Sequence, residues 1–154
     1  MKNLMLILFM FFVFISKNIR SENTVEYITE GSDTTDIKSF KLSNGSEFST
    51  FESKGSWTDN FGNYGKNKCF GLFTTHKNKS IELNMKCEVI DHKGNKNWSV
   101  IKRESSEFDA GVGINKYVDG TGPWKYLIGA ECKYGIKYFE EANYSIAVSY
   151  THLT

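Results

Sequence analysis

The chain has 154 residues, of which 15% are aromatic and 24% charged, and its formal net charge is +1. That balance argues against a dedicated nucleic-acid or anionic-membrane binder, which concentrates Lys and Arg on one surface; here they alternate with Asp and Glu along the whole length. One proline, Pro123, and the high aromatic content argue against disorder and suit regular strands.

The chain opens Met1-Lys2-Asn3 and runs apolar over residues 4–15. A positive start, an apolar core of about 7–15 residues and a small residue near the cut mark a signal peptide. The run is too short for a spanning helix, which needs roughly 20 residues. Residues 1–21 are therefore read as an export signal cut after Ser21, with Ser16 as the second candidate. Lys17 and Arg20 follow the apolar run and leave a retained N-terminal anchor as the alternative. The expected address is secreted or periplasmic, with no transmembrane span in the mature chain.

Beyond the signal, strand patterns dominate. Candidates fall at 24–29, 37–42, 47–52 and 68–75. The clearest is the run in which Ile81, Leu83, Met85, Cys87 and Val89 alternate with Glu82, Asn84, Lys86 and Glu88, an apolar side facing in and a charged side facing out. A turn over 91–96 leads into a second arm at 98–103. Residues 104–110 read as a loop. Further strands are expected at 111–118, at 124–138 as one long coiled strand bent at Gly129 and Gly135, and at 144–150. No segment carries a helical stripe, and no linker or repeat interrupts the pattern. The expectation is all-β: one small antiparallel β-barrel of eight to ten short strands, spanning residues 22–147.

Three cysteines remain, Cys69, Cys87 and Cys132. In an oxidising compartment an odd count leaves one over. A turn centred on Asn78 places Cys69 opposite Cys87 on two hairpin arms, so that pair is the expected disulfide; a bridge from Cys132 to either is the rival. No CxxC and no nearby His pair exists, so no metal site and no cofactor are expected.

Two local patterns resemble known barrels. Gly55-Ser56-Trp57 has the G-x-W form of lipocalins and avidins, though it lies far into the mature chain. The segment from Asp119-Gly120-Thr121-Gly122-Pro123-Trp124 through Gly129 resembles the glycine-rich hairpin of dirigent proteins and allene oxide cyclase-like, calycin-type barrels. With the stretches 55–65, 69–71 and 109–113, the chain is similar to small secreted bacterial β-barrel proteins. The resemblance implies a barrel and brings no activity with it. Separately, residues 148–154 resemble a translated sequencing-adapter tail; that resemblance implies a native last strand diverging near Ala147 and a non-native His152.

Little catalytic chemistry is visible. His76 and His92 read as turn residues, and no Ser sits in a G-x-S-x-G elbow. Asp59, Asp109, Asp119, Glu131 and Glu140 are carboxylates that could meet in space, each with a bland turn or surface role as the simpler reading. The aromatic residues Trp57, Phe73, Trp98 and Tyr126 are the candidates for lining an apolar ligand cavity, with core filling as the competing role. The expected function is a non-enzymatic barrel that binds a small apolar ligand or an envelope partner. The alternatives are an isomerase- or cyclase-like enzyme working inside the barrel, and a structural surface protein with a filled core.

Overall fold

The computed structural model describes residues 24–139 and 142–152; residues 1–21, read from the sequence as an export signal, and Glu140 lie outside them. Eight strands follow one another around a closed antiparallel barrel: β1 (Thr24–Lys41), β2 (Glu47–Asp59), β3 (Tyr64–Thr75), β4 (Ile81–Asp91), β5 (Lys96–Ser105), β6 (Ala110–Gly120), β7 (Glu131–Phe139) and β8 (Ala142–His152). Each pairs with the next, and β8 returns to β1. Closure gives every strand a neighbour on both sides. In β4 the expected alternation holds: Ile81, Leu83, Met85 and Cys87 are buried, and the residues between them face out.

Two expected elements differ. The strands at 24–29 and 37–42 are one strand, β1, whose middle carries Gly31, Ser32, Asp33, Thr34 and Thr35. Those residues look like a turn, but residues 29–34 pair with β2 on one side and β8 on the other. Fully paired backbone outweighs the turn preference of Gly, Ser and Asp. The segment 124–138 is not one strand either. A short 3-10 helix, Gly122–Leu127, precedes β7. Gly122 at φ 54° and Gly129 at φ 89° bracket that helix in the left-handed region, which breaks strand continuity. Pairing of β8 runs past Ala147: Val148 faces Ile28 and His152 faces Thr24.

Among the described residues, four hairpin turns share one geometry. In each, the first residue's N–H donates to the carbonyl four residues on, and its own carbonyl accepts from the fourth residue's N–H, at Leu42–Ser46, Asp59–Asn63, His76–Ser80 and Asp91–Asn95. The fourth residue is left-handed every time: Gly45, Gly62, Lys79 and Gly94. Lys79, at φ 71°, is the non-glycine exception. A left-handed non-glycine costs about 1–2 kcal/mol, and glycine's extra chain entropy returns about 0.5–1 of that. Lys79→Gly is expected to stabilise the protein by about 0.5–1 kcal/mol, read as a higher denaturant midpoint at unchanged slope.

Aromatic side chains plug both barrel ends. At one end the 3-10 helix drops Trp124 into the mouth, edge-on to Trp57 at 5.6 Å and tilted against Tyr27 at 6.3 Å. Its indole Nε1 donates to Asp91 Oδ2 at 3.0 Å. At the other end Phe108, from the β5–β6 loop, stacks on Tyr138 at 4.6 Å and leans on Phe73 at 5.1 Å. Arg103, only 2% exposed, holds that loop by donating from Nη2 to the Phe108 carbonyl at 3.2 Å.

Candidate functional site

Between the two plugs the interior turns polar. The inward row running around the barrel takes Asn143 from β8, Asp33 from β1, Gly55 from β2, Asn67 from β3, Val89 from β4 and Asn97 from β5, each opposite the next. The Asp33 carboxylate lies across Gly55 and accepts Asn67 Nδ2 on Oδ1 at 2.8 Å and on Oδ2 at 2.9 Å. Ser53 Oγ donates to Oδ2 at 2.8 Å. A Cβ at position 55 would overlap both that carboxylate and the Ser32 carbonyl oxygen. Glycine is what lets the Asp33 side chain cross a whole strand to reach Asn67.

This band surrounds a cavity of about 120 Å³. Asp33, Asn67, Asn97, Asn115 and Asn143 line it, together with the phenols of Tyr27, Tyr117, Tyr134 and Tyr138. The amide oxygens of all four asparagines are buried without a hydrogen-bond partner. Each such group costs about 1–3 kcal/mol when left dry. Asn97 and Asn143 are both 3% exposed, so bulk water does not reach them.

Burial pushes the Asp33 carboxyl above its usual range, and the Asn67 and Ser53 hydrogen bonds pull it only part of the way back. Burial likewise raises the phenols of Tyr27, Tyr117 and Tyr138, and takes Tyr134 up to about 12 against the opposing pull of Arg103. At neutral pH these phenols are protonated, and each can donate as well as accept.

The disulfide Cys69–Cys87 forms part of the cavity wall, the two residues directly opposite on β3 and β4 as the hairpin register required. Cys132 is buried and outside the bridge.

Of the four aromatic candidates, Trp57 lines the cavity. Phe73 is buried in the apolar cluster at the loop end, against Phe51 and Phe108. Trp98 and Tyr126 do not reach the interior. On β5 the inward positions are Asn97 and Ser99, so Trp98 turns outward, where its Nε1 donates to Glu88 Oε2 at 3.2 Å. Tyr126 is 90% exposed, because the 3-10 helix gives the barrel mouth to Trp124 two residues earlier. Of the carboxylates considered from the sequence, the four among the described residues, Asp59, Asp109, Asp119 and Glu131, do not line the cavity. Asp59 accepts from the backbone of its own turn at Phe61 and Asn63, Asp119 accepts from Gly120 N–H, and Glu131 is exposed beside Lys116.

The acidic group that matters, Asp33, sat in a stretch that reads as a turn. Its signal was parity. Asn67 lies two residues before Cys69, and Asn97 and Asn115 lie two before the inward Ser99 and Tyr117. Among the described residues no group of three His, Cys, Asp or Glu side chains is placed to hold a metal ion. Compared with known proteins, the chain matches no protein-family model and no curated protein.

Proposed function

We propose that the protein is a binding module that encloses one small, hydrogen-bonding molecule at the waist of its barrel. The observation that carries this reading is the set of four partnerless amide oxygens around an interior cavity that also holds the Asp33 carboxylate. The expected apolar ligand fits such a wall poorly, because it would leave every one of those acceptors unpaired. A cavity of about 150 Å³ accepts benzene, so an occupant of the 120 Å³ site is of that size or smaller. Export belongs to the same proposal: the apolar run at 4–15 supports it, and a disulfide suits an oxidising compartment.

A second reading has one observation in its favour. Asp33, with its raised proton affinity, shares the cavity with four phenols, a set that could move a proton on an enclosed substrate. It would show as turnover of a bound molecule rather than its simple release.

The test pairs binding with stability. Asn143→Leu removes a buried amide oxygen that has no partner and should raise stability by about 1 kcal/mol. It should also weaken binding of small polar probes, n-propanol and n-propylammonium, followed by NMR of the asparagine side-chain amides. Benzene should not bind the wild type. Loss of stability with unchanged probe binding would make Asn143 a structural residue and sink the reading.

A further inference from the structure

We infer that the molecule held at the waist is a small organic cation, a protonated amine, seated against Asp33. The inference rests on the binding reading above and sharpens it from polarity to charge.

Asp33 is a half-buried carboxylate whose two donors, Ser53 and Asn67, are both neutral. Among the described residues no Lys, Arg or His forms an ion pair with it. The buried cation, Arg103, lies at the loop end, where Nη2 binds the Phe108 carbonyl, Nε and Nη1 have no hydrogen-bond partner, and the guanidinium lies 5.6 Å and 5.9 Å from the Phe108 and Tyr138 rings. It does not line the cavity. A charge drawn partly out of water without a partner is costly; a proton removes it and a cation pairs with it, whereas water or a neutral ligand satisfies only its lone pairs.

The surrounding groups fit the same occupant. The Asn67 amide has its orientation set by chemistry: Nδ2 faces the carboxylate, so Oδ1 is the end left over, and it has no partner. The oxygens of Asn97, Asn115 and Asn143 add three more unmatched acceptors. An ammonium group brings donors only and no acceptor. Trp57 and Tyr27 are also part of the wall, and aromatic rings attract cations; the Trp57 Nε1 donor, buried without a partner, is a wall group that an ammonium leaves unmatched. An anion would meet Asp33 directly and is disfavoured.

The test compares three probes of nearly equal shape on the intact protein by calorimetry and NMR: n-propylammonium, n-propanol and propionate. Wild type should bind n-propylammonium at least tenfold more tightly than n-propanol, and propionate not measurably. In Asp33→Asn the preference for the cation over the alcohol should disappear. The wild-type comparison alone decides the matter if that variant does not fold. Equal binding of n-propanol and n-propylammonium would overturn the charge assignment and leave the polar-binding reading standing. No binding of any of the probes would overturn both.

Discussion

Replacing Trp124 by alanine is expected to cost about 3–5 kcal/mol, the usual range for deleting a large buried aromatic. The indole is 5% exposed and closes one barrel mouth against Trp57 and Tyr27. Trp124→Phe separates packing from hydrogen bonding, because it keeps a ring in the mouth and loses only the N–H that meets Asp91. That bond goes to an ionised group and is worth about 1.5–3 kcal/mol. Burial alone would push the Asp91 carboxyl up. Hydrogen bonds from the Asn95 side chain, the Asn95 and Lys93 backbone and the Trp124 indole outweigh it and hold the carboxyl below the ordinary range. A carboxyl depressed on folding adds stability that is present above its unfolded pKa of about 3.9 and is lost as pH falls through the lower folded value. The deficit of Trp124→Phe should therefore be largest near pH 7 and shrink towards pH 3 in urea titrations. A Trp124→Ala variant within 1 kcal/mol of wild type would show that the plug is decoration.

Loss of the Cys69–Cys87 bridge should cost nearly as much. The two residues are 18 apart in sequence, and restricting a loop of that length in the unfolded chain is worth about 3 kcal/mol. The Cys69→Ala/Cys87→Ala pair is the clean comparison, since it leaves no thiol at the site. The effect should appear as a lower denaturation midpoint for the double variant and for wild type under reductant, by similar amounts. Reductant should leave the double variant unchanged. A double variant as stable as wild type would mean that the paired β3–β4 register already does the work of the bridge.

Legibility in the sequence divides along a physical line. Where the interior is apolar, pattern and structure agree. The Ile81–Val89 alternation gave β4, and a turn centred on Asn78 gave a register that faces Cys69 with Cys87. Where the interior is polar, the same reasoning fails, because it takes polar residues for loops. That is why β1 reads as two strands with a gap at Asp33, and why the pattern gives no sign that asparagines line the cavity. Trp98 shows the converse error, an aromatic residue turned outward by its place in the alternation. The plug was missed for a different reason. Gly129 reads as a bend within one long strand over 124–138, whereas the left-handed backbone at Gly122 and Gly129 ends one element and starts another.

Barrel closure has a consequence for how the molecule forms. The first strand finds its second neighbour only in the last, with Thr24 opposite His152 and Thr34 opposite Ala142. Contacts so far apart in sequence form late, and topologies dominated by them fold in milliseconds to seconds. Until β8 arrives, β1 and β7 each present a bare row of N–H and C=O groups to any passing strand. The waist cavity cannot exist before then either, since Asn143 and Ser145 of its wall ride on that strand. On the binding reading proposed above, ligand and final strand act on the same step, and an occupant present during folding should speed the closing of the ring or hold it shut once closed.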